Sequence, residues 1–288
     1  MEKIRDILNT GSVTVSFEVF PPKKADAYES VRDAVLQIAD LKPSFMSVTY
    51  GAGGTTAGMT VELADEISTR RGVPVLPHLT CVASSRAHVD EMLARYKELG
   101  IQNVMALRGD LPQDGRKSED FAHASDLIRY IRERSDLCIG AACYPEGHVE
   151  SRNKSRDIDF LKMKVDAGCD FLTTQMFFDN TIFYNFLYRI LQAGIHVPVI
   201  PGIMPITNAR QLSRSVALSG TNVPESFRAI VDRFQDHPDA MKQAGILYAS
   251  HQIVDLIAND IKHIHVYSMN KPEVAAGILK NLSEILCL

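Results

Sequence analysis

Short apolar runs and helical stripes alternate along this chain. Val13 to Phe20 is a β-branched and aromatic run stopped by Pro21-Pro22, which predicts a first strand after a short helix over Glu2 to Leu8. Val31, Ala34, Val35, Ile38 and Leu41 then fall at i, i+3, i+4, i+7 and i+10, one face of a helix. Ser44 to Tyr50 predicts a second strand that runs into the glycine-rich turn Gly51 to Gly54, and a helix follows from Met59 to Arg71. The alternation recurs. Strands are predicted at Val73–Thr80, Ile101–Leu107, Leu137–Tyr144, Phe171–Met176, Val197–Ile203 and His263–Tyr267, with helical stripes between them and after the last. Several helices stop at glycine, as at Gly72, Gly100, Gly168 and Gly194.

Eight strands alternating with eight helices in 288 residues predict a single α/β domain over 1–288. The expected architecture is a (β/α)8 TIM barrel with a short N-terminal helix and a helical insertion, Val223 to Asn259, before strand eight. A doubly wound open sheet is the competing architecture. It would place a dinucleotide fingerprint after its first strand, where Pro21-Pro22 stands, and the later glycine turn has Thr56 where G-x-G-x-x-G needs its last glycine.

Composition narrows the function. With 31 basic and 35 acidic residues the formal charge is −4, without the basic surplus that nucleic-acid binding requires. No apolar run approaches a membrane span, and Met1 to Asn9 lacks the apolar core of a signal peptide, so a cytoplasmic location is expected. Five cysteines without a C-x-x-C pair predict reduced thiols and no metal site.

In such a barrel the site lies at the carboxyl ends of the strands. Those ends carry Glu18, Thr49-Tyr50, His78 with Thr80, Arg108-Gly109-Asp110, Tyr144-Pro145-Glu146 with His148, Thr174-Gln175, and Tyr267 to Lys271. Each alone has a structural explanation, and Arg108-Gly109-Asp110 reads equally as a surface turn with an ion pair. Polar groups on the same rim of six or seven strands favour a site. Arg152, Lys154 and Arg156 lead into a helix whose amino end is already positive, so either this is a solvated loop or an anion such as a diphosphate sits there.

The chain resembles the methylenetetrahydrofolate reductase family in its short bacterial form. The likeness rests on Val15 to Lys23, Ser47 to Ala52, Pro77 to Cys81, Ala106 to Asp110, Tyr144 to His148, Lys164 to Gly168, Thr174 to Asp179 and Ile200 to Pro205, in the family's order. The resemblance implies FAD as cofactor, NADH or NADPH as reductant, and a ping-pong hydride relay that reduces 5,10-methylenetetrahydrofolate to 5-methyltetrahydrofolate. It implies Glu18 as the general acid for folate N10 and Asp110 as a carboxylate beside flavin and pterin. A raised pKa, from burial against Phe17 and Phe20, is expected to suit Glu18 to that task. Thr49, Tyr50, Ala52, His78, Arg108, Gly109, Asp110, Ala124, Tyr144, His148, Asp157 and Lys164 fall on its cofactor-binding positions. Glu18, Asp110, Gln175, Gln211 and Lys271 fall on folate-binding ones.

Four positions depart from the family pattern. Lys271 stands for an arginine, Met163 for a basic residue, Phe160 for an asparagine and Ser215 for an aromatic. Phe160 either stacks on adenine or faces the core. Self-association into a homo-oligomer is expected by analogy, with apolar positions of the insertion available for it. Two other readings stay open: a reductase subunit that receives electrons from an iron–sulfur protein, and a non-catalytic folate- or flavin-binding barrel.

Overall fold

The computed structural model describes residues 2–22, 24–51, 57–82, 84–110, 118–151 and 153–287. The strands are β1 (Thr14–Val19), β2 (Met46–Val48), β3 (Val75–Thr80), β4 (Asn103–Leu107), β5 (Cys138–Cys143), β6 (Phe171–Thr174), β7 (Val199–Ile200), β8 (Gly202–Ile203) and β9 (His263–Tyr267). All pair in parallel, in the order β7-β6-β5-β4-β3-β2-β1-β9-β8. The predicted seventh strand is split into β7 and β8 by Pro201, which has no N–H for a ladder. Because β7 and β8 are one continuous segment, the sheet's two edges meet there. The result is the (β/α)8 barrel.

The surrounding helices are α1 (Ile4–Leu8), α2 (Tyr28–Ala39), α3 (Ala57–Arg71), α4 (Arg86–Glu98), α5 (Ala124–Arg134), α6 (Lys154–Asp166), α7 (Asn180–Gln192), α8 (Ala209–Ser219), α9 (Glu225–Phe234), α10 (Pro238–Ala258) and α11 (Pro272–Asn281). Strand residues of one parity, such as Val15, Phe17 and Val19, pack outward against them in the main core. The lumen holds a second cluster of Phe45, Leu76, Met105, Cys138, Phe171 and Ile200, into which α1 inserts Ile4, Ile7 and Leu8. Asn103 fastens α1 to that end, accepting from Ile4 N at 2.7 Å and donating to Glu2 O and Val75 O. Gly140 leaves lumen space for Phe171 and Met105, whose atoms would lie within 2.9 Å of an added Cβ.

The insertion forms α9 and α10. Its apolar residues Phe227, Val231 and Met241 close over Phe178, Ile206 and Leu212 in a third cluster, so most of them serve this chain's own packing. Leu247 and Val254 of α10 stay exposed. All five cysteines are free. Among the described residues no helix is long and apolar enough to cross a membrane.

Candidate functional site

Alternation along β1 sends Ser16 and Glu18 into the lumen. The same alternation corrects one expectation. Phe17, fully buried, lies on the outer face of β1 and does not shield the Glu18 carboxyl. The desolvating neighbours are lumen groups. Glu18 Oε2 stands 3.7 Å from His78 Nε2 of β3, and Tyr267 of β9 is its register partner. Burial pushes the Glu18 carboxyl up to about 8 and the His78 imidazole down to about 4. At neutral pH the two therefore face each other as neutral groups, with the proton on the acid. His78 Nε2 is buried with no hydrogen-bond partner, an unmet need that a ligand at the mouth can satisfy.

Below this pair His265 sits between two hydroxyls, Ser16 Oγ at 2.7 Å from Nδ1 and Ser47 Oγ at 3.1 Å from Nε2. Ser16 also donates to Ile264 O at 3.1 Å, so it accepts from Nδ1–H and Ser47 donates to Nε2. Burial holds His265 at about 3, neutral. Tyr267 Oη donates to Thr174 O at 2.5 Å and passes over Gly202, where any Cβ would collide with it.

On the β3–β5 side the rim opens into a cleft of about 390 Å³. Tyr50, Arg108, Gly109, Asp110, Ala124, Tyr144, His148, Asp157 and Lys164 line it. Arg108 forms a two-pronged bond to Glu150, at 2.6 and 2.9 Å, so its ion pair is not the one expected with Asp110. Gly109 holds φ +86°, and a Cβ there would lie 2.8 Å from Thr80 Cβ, so both conformation and space demand glycine. Lys164 Nζ donates to Ala142 O at 2.8 Å, and burial lowers its pKa. Asp157 accepts from Ser151 Oγ at 2.8 Å, and Tyr144 meets His148 edge to face at 4.6 Å. The amino end of α5, with His123, Ala124 and Ser125, also opens on the cleft.

The remaining candidates lie elsewhere on the rim. Thr49 donates its N–H to Val19 O, and Gln175 folds back to accept from Met176 N at 2.9 Å. Lys271 Nζ donates to Thr207 Oγ1 at 2.8 Å, and Thr207 N and Oγ1 both donate to Gln211 Oε1. Ala52 and Arg152 lie outside the described residues. Lys154 and Arg156 are exposed and do not line the cleft, whose cations among the described residues are Arg108 and Lys164. Phe160, 39% exposed, and Met163 lie on the cleft wall and not in the core. Phe160 lies 6.4 Å from the His123 ring, with the Arg156 guanidinium at 5.4 Å on Phe160. Ser215 is buried and donates to Met204 Sδ. Sequence reading missed Glu150, Ser151, His123 and Thr207. Nothing but their neighbourhood to rim residues marked them.

Among the described residues, Arg108, Lys164 and the amino end of α5 suit the diphosphate of a flavin dinucleotide and the aromatic walls suit its flat rings, with Asp110, Asp157 and the Arg108-bound Glu150 as counter-charges in the same lining. Fold and site together define a (β/α)8 barrel with a largely buried carboxyl at the mouth and a charged, aromatic-walled cleft beside it.

The methylenetetrahydrofolate reductase family model matches residues 3–283. The chain is 36% identical over 272 residues to 5,10-methylenetetrahydrofolate reductase of Pectobacterium carotovorum subsp. carotovorum, covering 94% of this chain and 91% of that one. It is 34% identical over 284 residues to the Escherichia coli (strain K12) enzyme of the same name, covering 96% and 95%. Methylenetetrahydrofolate reductase (NADH) 1 of Zea mays is 36% identical over 300 residues, which span 99% of this chain and 51% of the plant protein. This chain belongs to the methylenetetrahydrofolate reductase family. A solved structure of an uncharacterized Clostridium thermocellum protein, which binds two copies of 5-methyl-5,6,7,8-tetrahydrofolic acid, shares the fold at TM-score 0.66 and 13% identity over 99% of both chains.

Proposed function

We propose that this protein reduces 5,10-methylenetetrahydrofolate to 5-methyltetrahydrofolate with electrons from NADH or NADPH, in a ping-pong sequence through bound FAD. Bound in the cleft, the flavin would supply a two-electron carrier that takes a hydride from the nicotinamide and passes it to the folate. Arg108, His148 and Lys164, with the amino end of α5, are the residues to hold its diphosphate. Tyr50, Tyr144 and Phe160 offer faces for its rings, and Thr49, His78, Gly109, Ala124 and Asp157 complete the expected contacts.

Glu18 carries the reading. Before the folate can accept hydride its five-membered ring must open at N10, which requires a proton near neutral pH. A carboxyl held up to about 8 by burial has that proton to give, and one near 4 does not. Neutral His78 at 3.7 Å adds no positive charge that would strip it. Asp110, exposed on the cleft rim, is placed in the proposal to accept from the pterin's amino edge and to stabilise the iminium cation. Gln175, Gln211 and Lys271 are the further folate contacts. Lys271 keeps a cation at its position but lacks the planar fork of arginine.

The test separates the two half-reactions. Glu18→Gln should lower folate reduction by about 10²–10⁴-fold while leaving flavin bleaching by NADH or NADPH at the parent rate. A variant that reduces folate as fast as the parent ends the assignment. Steady-state nicotinamide oxidation by the purified chain alone excludes a protein electron donor.

A further inference from the structure

The loop that follows β9 has an unusual backbone. Met269 and Asn270 both adopt positive φ, at 56° and 53°, and Lys271 N donates to Ser268 O at 3.1 Å. Two central residues with positive φ and an i to i+3 bond are the marks of a type I′ turn, whose usual sequence is Asn-Gly. Here the first central residue is a methionine and the second an asparagine. Glycine would adopt φ +53° with less strain, so the side chain of Asn270 has a reason to be there.

Its carboxamide takes the place of a missing strand. The β1–β9 ladder ends at Glu18 and Tyr267, and the turn then carries the chain away. Phe20, two residues past the pair and just ahead of two prolines, has no β9 residue opposite it. Asn270 supplies both bonds, accepting from Phe20 N at 3.0 Å and donating to Phe20 O at 2.8 Å. Ser268 Oγ donates to Glu18 O at 3.0 Å. The backbone that follows the Glu18 side chain, from its own carbonyl to Phe20, is thereby fixed to a single four-residue turn. The next residue of that turn, Lys271, reaches Thr207.

We propose that the Ser268–Lys271 turn is a clamp that sets the position of the Glu18 carboxyl at the barrel mouth, with Asn270 as the positioning residue. Its catalytic consequence rests on the function proposed above; its structural content does not. Without the clamp the end of β1 is held on its β2 edge alone, through Val19 opposite Val48 and Thr49 N on Val19 O, and the Glu18 carboxyl is no longer fixed against His78 of β3 and Tyr267 of β9, the titratable groups that face it. Asn270 touches no reactant in this scheme. It acts through Glu18.

The experiment reads Glu18 directly. In the flavin-free chain, the carboxyl carbon of Glu18 is followed by NMR across a pH titration in the parent, Asn270→Gly, Ser268→Ala and Met269→Gly. Glycine suits the backbone at 270 and removes only the two side-chain bonds, so Asn270→Gly is expected to fold. Its Glu18 should titrate about one pH unit or more closer to the ordinary carboxylate value, with Ser268→Ala moving the same way by less. Met269→Gly relaxes the same turn while sparing the bonds and should match the parent. In the loaded enzyme, Asn270→Gly should slow the folate half-reaction by about tenfold or more and leave flavin reduction unchanged. An unchanged Glu18 titration in Asn270→Gly, or an equal shift in Met269→Gly, overturns the clamp. A parent chain that reduces no folate overturns the functional reading instead, and the titration still decides the clamp.

Discussion

Replacing Glu18 by glutamine should stabilise the ligand-free protein in alkali. The folded chain holds the Glu18 proton up to about 8, whereas an unfolded chain releases it near the ordinary glutamate value of 4.5. Folding therefore keeps a proton that the unfolded state loses, and stability falls as pH rises across that window, by at most roughly 1.4 kcal/mol per pH unit. The ceiling is about 5 kcal/mol. With 24% of the side chain open to the mouth, solvent lowers it to about 2–4 kcal/mol. Glutamine is nearly the same shape and never ionises. At about 2–4 °C per kcal/mol for a chain of this size, Glu18→Gln should melt roughly 5–10 °C above the parent at pH 9. At pH 4.5 the two should melt together. Thermal unfolding followed by circular dichroism across this pH range gives both curves. Parallel curves, with no gap opening above neutrality, would refute the argument that burial keeps the acid protonated.

Three more outcomes follow from the same geometry. Gly245→Ala on α10 would set a methyl against the Ile206 carbonyl and displace the loop that carries Thr207, at a cost of about 2–3 kcal/mol read as a lower urea midpoint. Under the proposed FAD reading, Phe160→Ala should weaken FAD binding about fivefold in a flavin-fluorescence titration, since an aromatic stacking contact is worth roughly 1 kcal/mol; unchanged affinity would show that Phe160 stacks on no ring of the cofactor. His265→Leu leaves the Ser47 hydroxyl without its acceptor and should cost about 1–3 kcal/mol at pH 7. Because burial depresses His265 to about 3, the parent's benefit is present above 6.5 and is lost as pH falls, so the gap in melting between parent and variant should narrow by roughly 2 kcal/mol from pH 7 to pH 5.

The repeating strands and helices were legible because each barrel strand is buried on both faces and most helices show one apolar stripe. Boundaries slipped where loops are as buried as strands. Met176, Phe177 and Phe178 extend the apolar run of β6, yet they belong to a loop folded inward beneath the insertion. Helix α10 is the opposite case: it buries Gly245, Ser250 and Gln252, and Gln252 donates to Phe177 O and Asn180 Oδ1. No hydropathy pattern announces such a contact.

At the site, Glu18 was legible as a carboxylate at a strand end, but its neighbours were not. The residues adjacent to it in sequence point the other way, and those that desolvate it come from β3 and β9, 60 and 249 positions along. Asn270 was read only as part of the Tyr267 to Lys271 strand end, and its turn went unmarked because Met-Asn lacks the glycine that signals a tight turn. Arg108 was legible as a cleft cation, whereas its partner Glu150 depends on how the loop after β5 folds back.

Helix α1 gives the barrel a stopper. Its Ile4, Ile7 and Leu8 fill the lumen from the amino-terminal end, and Lys3 and Arg5 seal the edge through ion pairs with Asp136 and Asp170. The lumen is therefore a packed plug from that end up to the rim where Glu18 stands, which leaves the rim as the polar face of the barrel's interior. Removing α1 would bare the apolar lumen side chains Phe45, Phe171 and Ile200 at the far end, a cost in solubility and packing that leaves the rim itself untouched.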